Sequence, residues 1–147
     1  MPLLAGALEK IGVVEHAVVI HGVGLDEISP LGPCTVMELK KSGETYDRTE
    51  WTLDPLDYGI PRCTLEDLVG GDADFNAKAL RSCLEANAET DACRDAIALN
   101  AGMGLYVYGA ADDVKSGIDL AYEGLKNGAG LEKMDAWISK TQSYAKA

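Results

Sequence analysis

The apolar positions of this chain stand in clustered or alternating runs between Val13 and Pro55, and at spacings of three and four before that stretch and from Thr64 onward. Leu4, Leu8 and Ile11 stand at i, i+4, i+7 and predict a helix over Leu3–Ile11, with Gly12 as its stop. Val13–Ile20 reads as a strand. Its unalternating end, Val18-Val19-Ile20, predicts burial on both faces, as in a parallel sheet. Pro30, Gly32 and Pro33 then break the chain. Thr35–Leu39 and Thr45–Leu53, around Lys41-Ser42-Gly43, predict a small hairpin that Pro55, Gly59 and Pro61 end.

The second half is helical in pattern. Thr64-Leu65-Glu66-Asp67 carries a helix-start signal. Ala92–Tyr108 is apolar nearly all round and predicts a central buried helix, in which Gly102 and Gly104 would let another backbone approach closely. From a cap at Asp112, Val114, Ile118, Ala121 and Leu125 mark one face of a helix that ends at Gly128. Leu131, Met134 and Ile138 share a side of a last helix before a polar tail. One buried strand, a small hairpin and about five helices make an α/β inventory. It is short of the neighbours that a parallel strand requires. There is no internal repeat and no low-complexity linker.

Composition narrows the function. With 147 residues the chain is one domain's worth, able to bury about 70% of the surface its unfolded form exposes. Its formal net charge of −11 argues against a polyanionic partner, because nucleic-acid affinity is carried by Lys and Arg on phosphates. A phosphorylated ligand would need a metal or a local basic pocket to overcome this field, and a divalent cation is the natural bridge. No stretch reaches the roughly 18 apolar residues of a membrane span, so the chain is expected to be soluble. Met1–Ile11 does not read as a secretory signal, having too short an apolar run and Glu9 within it. Cys34, Cys63, Cys83 and Cys93 form no C-x-x-C pair, and with only His16 and His21 to join them they predict free thiols in a reducing compartment rather than a zinc site.

The segment that carries chemistry is His21-Gly22-Val23-Gly24-Leu25-Asp26-Glu27-Ile28-Ser29, directly after the predicted strand. Adjacent carboxylates on a glycine-bearing loop at a strand end suit a hard cation. Gly22 and Gly24 read as backbone-geometry residues. His21 reads as a hydrogen-bonded structural residue, outside any catalytic set. Asn100, inside an apolar helix, requires buried partners and predicts a link between elements. Met103, Tyr106 and Tyr108 are expected in the core.

These residues resemble a known family. Val18-Val19-Ile20-His21-Gly22 followed by Gly24-Leu25-Asp26-Glu27-Ile28-Ser29 is similar to the Asp-Glu motif of anthranilate phosphoribosyltransferases. The resemblance continues in order through Asp57-Tyr58-Gly59, Gly70-Gly71-Asp72, Asn76-Ala77, Leu99-Asn100-Ala101 and Leu105-Tyr106-Val107. The short His-Gly-Val-Gly loop and the Tyr58–Leu68 segment look most like plant and cyanobacterial members.

The resemblance implies the C-terminal portion of a phosphoribosyltransferase/nucleoside-phosphorylase-like α/β domain. It implies a transferase of tryptophan biosynthesis joining anthranilate to phosphoribosyl pyrophosphate with release of pyrophosphate. Asp26 and Glu27 match the family's pair that binds substrate through Mg²⁺. No residue is assigned a catalytic role. The family's upstream Gly-Thr-Gly-Gly-Asp phosphate loop, its Asn-x-Ser/Thr and Lys-His-Gly-Asn segments, its anthranilate-contacting arginine and its N-terminal helical domain have no match in residues 1–147. Gly70-Gly71-Asp72 lies downstream of the acidic pair and reads as a turn and helix start rather than as that phosphate loop. The chain alone is therefore expected to be inactive, and the intact enzyme to form a homodimer; association with a separate N-terminal half is a further expectation. Plant-type likeness implies a plastid in a photosynthetic eukaryote, and otherwise the cytoplasm. Two alternatives stand beside this reading: a non-catalytic interaction module derived from the fold, and a pyrimidine-nucleoside phosphorylase relative.

Overall fold

The computed structural model describes residues 1–86 and 91–145. The central strand of its one sheet is β2 (Cys34–Ser42), flanked antiparallel by β1 (His16–His21) and β3 (Thr45–Leu53). The register sets Glu38 between Val18 and Thr49. Successive side chains of a strand point to opposite faces. One face therefore presents Val18, Ile20, Val36, Trp51 and Leu53, which pack with Leu99, Met103 and Ile118 of the helical layer. The other presents Val19, Met37 and Leu39, covered by Ala5 and Leu8 of α1 (Pro2–Ile11).

This arrangement corrects the expectation for Val18–Ile20. Burial on both faces belongs to β2, where Val36 to Leu39 are all buried, whereas β1 is half-buried and antiparallel along the edge that the described residues fill. The hairpin follows the sequence reading closely, turning at Gly43 with φ 65°. Thr45 Oγ1 closes the turn on the Ser42 carbonyl at 3.0 Å.

Four helices follow: α2 (Ala73–Leu84), α3 (Ala92–Tyr108), α4 (Val114–Lys126) and α5 (Ala129–Ala145). Aspartates start three of them. Asp72, Asp91 and Asp113 each accept from the backbone N–H three residues on, a contact worth about 1 kcal/mol per helix. The cap of α4 thus falls on Asp113, one residue beyond the expected Asp112. The Thr64 signal is real but short-lived. Asp67 Oδ2 accepts from Thr64 N at 2.8 Å and Oγ1 at 2.9 Å, yet a single 3₁₀ turn, Glu66–Leu68, is all that follows before Gly70-Gly71.

The helices pack around Leu84, Ala98, Ala121 and Leu125, with Leu131 and Met134 against them. α3 and α4 cross closely because a Cβ at Gly102 would stand 2.6 Å from the backbone of Ile118. Gly104, expected to share that role, faces open space. Three apolar assignments also change: Leu4 (62% exposed), Ile11 (60%) and Tyr108 (86%) lie on the surface, while Ala5 is buried in α1 and Met103 lies in the core as expected. The expected polar tail is helical as far as Ala145, and 146–147 lie outside the described residues. Among the described residues no helix is long and apolar enough to cross a membrane.

Candidate functional site

The loop after β1 is fixed at both ends. At its start Gly22 N donates to the Leu25 carbonyl at 3.1 Å, and Gly24, with φ +72°, donates to the Gly22 carbonyl at 3.1 Å. A Cβ at Gly22 would lie 2.5 Å from the Glu27 carbonyl oxygen and 2.8 Å from that of Leu25, so the loop closes over a position that only glycine can fill. Its far end is held by Ile28, a residue 1% exposed in the main core. Asn100 of α3 accepts from Ile28 N at 3.2 Å and donates from Nδ2 to the Ile28 carbonyl at 2.7 Å and to the Ala96 carbonyl at 2.8 Å. The link expected of Asn100 is thus between helix and acidic loop.

Between these two anchors stand Asp26 and Glu27. Both are exposed, and neither makes a hydrogen bond or ion pair among the described residues. Among those residues no group of three or more His, Cys, Asp and Glu side chains could hold a metal ion together. Two free carboxylates are an incomplete cage but a fitting partial donor set for Mg²⁺, which keeps several waters and takes one or two carboxylates beside substrate phosphates. His21, also exposed, sits at the strand end opposite Thr35.

Ser29 was not singled out by sequence. It is 4% exposed, and its Oγ is the one buried side-chain oxygen or nitrogen without a hydrogen-bond partner among the described residues. It borders a shallow apolar cleft with Glu27, Ile97 and Asn100. Its inclusion in the Gly24–Ser29 motif was the available signal.

Two of the other motif segments lie at turns and a helix start. Asp54, just before Asp57-Tyr58-Gly59, caps a 3₁₀ turn and pairs with Arg62 at 2.7 Å, which holds its carboxyl below the usual range. In Gly70-Gly71-Asp72, Asp72 caps α2 while Asn76 grips Gly71 through two 2.8 Å hydrogen bonds, in keeping with a turn and helix start.

A second polar cluster escaped the sequence reading altogether. Glu38, 8% exposed in mid-β2, accepts from Tyr106 Oη at 2.5 Å, His16 Nε2 at 2.8 Å and Trp51 Nε1 at 3.2 Å, and lies 3.1 Å from Lys40 Nζ. Burial pushes its carboxyl up. The hydrogen bonds from Tyr106, Lys40 and His16 outweigh that and hold it below the usual glutamate range. Every acceptor is engaged, so this cluster fastens sheet to helix.

Comparison with known proteins adds to this geometry. The family model described as "Glycosyl transferase family, a/b domain" matches residues 1–131. The anthranilate phosphoribosyltransferase of Rubrobacter xylanophilus is 38% identical over 143 residues, which are 97% of this chain and 40% of that protein. Among solved structures, anthranilate phosphoribosyltransferase from Thermus thermophilus superposes with a TM-score of 0.78 at 34% identity, over 92% of this chain and 38% of that one. The Saccharomyces cerevisiae enzyme in complex with PRPP and Mg shares the fold, with a TM-score of 0.80 at 23% identity over 97% of this chain and 40% of its own. The chain thus spans about 40% of the length of the curated relatives it matches.

Proposed function

The chain belongs to the glycosyl transferase family, a/b domain, and from that premise we propose that it supplies the acidic-loop part of an anthranilate phosphoribosyltransferase active site. The observation that carries this is a pair of exposed, unengaged carboxylates, Asp26 and Glu27, held between Gly22 and the Asn100-bound Ile28. In this reading the two side chains hold Mg²⁺ against the pyrophosphate of phosphoribosyl pyrophosphate. When bound, the cation neutralises charge on the departing pyrophosphate and aligns it. Gly22 and Asn100 fix the direction from which the carboxylates approach, and a preset approach is what orientation-dependent catalysis requires.

The groups that would cradle the phosphates and contact anthranilate have no match among the 147 residues. The proposal therefore assigns them to the portion of the relatives that this chain does not span, and residues 1–147 to part of one α/β domain. The chain alone, given anthranilate, phosphoribosyl pyrophosphate and Mg²⁺, should leave anthranilate fluorescence unchanged. Adding the complementary N-terminal segment of the Rubrobacter relative should restore turnover, and Glu27→Gln should abolish it. Turnover by the chain alone would overturn the shared site. A restored rate indifferent to Asp26→Asn and Glu27→Gln would overturn the role of the pair.

A further inference from the structure

We propose that the apolar cleft beside the acidic loop is the seat of a polypeptide segment from the portion of the relatives that this chain does not span, and that Ser29 takes its missing hydrogen bond from that segment. The cleft, of about 360 Å³, is walled by Leu25 of the loop, Leu68 of the 3₁₀ turn and Ile97 of α3, all three half-buried. Three polar side chains also line it. Glu27 stands exposed at its rim, and the Asn100 amide is spent on Ile28 and Ala96. Ser29 is left, 4% exposed and without a partner for its Oγ among the described residues. A buried hydroxyl that makes no hydrogen bond is destabilising, so the fold calls for a partner from outside those residues.

Neither water nor a small ligand fits the surroundings. A held water takes roughly two to four polar partners, and beyond Ser29 and the exposed Glu27 the lining side chains offer apolar surface or a spent amide. Nor does the apolar surface stop at the cleft. Leu65 and Val69, on either side of the Glu66–Leu68 turn, are 55% and 64% exposed. A small ligand would leave them in water, whereas a protein segment with one apolar side chain in the cleft lies across the turn as well.

Chain length says where that segment comes from. The Rubrobacter relative is matched over 97% of this chain but only 40% of its own length, so most of its polypeptide lies outside the matched part. The seat presupposes the proposed function, because its occupant is the portion that completes the active site. Glu27 belongs both to the cleft and to the acidic pair, so seating the segment brings the two parts of that site together.

The test is to co-express this chain with a tagged N-terminal segment of the Rubrobacter relative, and to measure by sedimentation how the co-purified pair dissociates on dilution. Hydrogen exchange at residues 25–29 and 96–100 should be slower in the pair than in the free chain. Ser29→Ala should raise Kd about fivefold, the loss of one hydrogen bond, yet leave the Tm of the free chain unchanged or slightly higher, because no bond is broken there. Leu68→Asp, outside the three core clusters, should raise Kd at least about tenfold by placing a charge in the apolar wall. Failure to co-purify, a parent-like Kd for both variants, or a lower Tm of free Ser29→Ala would each overturn the seat. So would altered self-association of the free Leu68→Asp chain, which would put a second copy in the cleft. Turnover is scored separately. A pair that binds through the cleft but whose rate ignores Glu27→Gln keeps the seat and loses the transferase role of the acidic pair, and the converse result loses the seat alone.

Discussion

Two acidic sites in this chain are handled in opposite ways. Glu38 is buried, and His16, Trp51, Tyr106 and Lys40 converge on it. Asp26 and Glu27 are exposed on a loop whose backbone is fastened at both ends while their oxygens have no partner among the described residues. A buried carboxylate with both oxygens engaged is working as structure, since a new ligand would have to compete with satisfied hydrogen bonds. One that is positioned but unengaged has its binding capacity still free. The contrast separates the two roles without reference to where either residue lies in the sequence.

The same test applies to the backbone and gives the largest expected effect. The edge of β1 away from β2 is unpaired among the described residues, and Leu3 and Leu4 of α1 and Val13 before β1 are 86%, 62% and 74% exposed. Unpaired edges and apolar patches template association. Light scattering on the isolated chain should return at least twice the monomer mass, and a monodisperse monomer would show that the unengaged edge is harmless.

Next in size is the buried carboxylate. Glu38→Gln puts an amide donor against groups that are themselves donors, and should cost about 2–4 kcal/mol in urea unfolding. The pH dependence has a defined sign. Because the folded carboxyl lies below its ordinary value of 4.5, its stabilisation is complete above that value and is lost as pH falls through the folded one. Acid unfolding of Glu38→Gln should therefore be flatter below about pH 4.5 than that of the parent. Identical acid profiles would break the assignment of Glu38 to structure.

Asn100→Ala should cost about 2–3 kcal/mol by orphaning the Ile28 N–H and carbonyl. It should also speed hydrogen exchange selectively at the 22–28 loop. Uniform exchange across the chain would mean that the loop is anchored elsewhere. The smallest effect belongs to the acidic pair itself. Asp26→Asn with Glu27→Gln should change stability by no more than about 0.5 kcal/mol. A larger loss would place these residues in the same class as Glu38.

Much of this was legible because local signals coincided with tertiary ones. The limits of α3 were visible in a segment apolar nearly all round, and the β2–β3 hairpin in two strand-like segments around Gly43. Asn100 betrayed itself as an amide in apolar company. The failures have a common physical source. Glu38 alternates with Met37 and Leu39 in a pattern that predicts a solvated face, and only the fold brings Tyr106, 68 residues away, onto it. Likewise Val18-Val19-Ile20 is as apolar as a central strand. Its position at the sheet margin depends on β2, whose charged residues made it look peripheral.

The bond from Asn100 Nδ2 to both Ala96 of its own helix and Ile28 of the loop gives the acidic pair a frame of reference in the helical layer. A rigid-body shift of α3 would carry the Ile28 end of the loop with it while the His21 end stayed with the sheet. Because the loop continues from the sheet at His21 and is tied to α3 at Ile28, the direction in which the carboxylates point depends on how the two layers sit together.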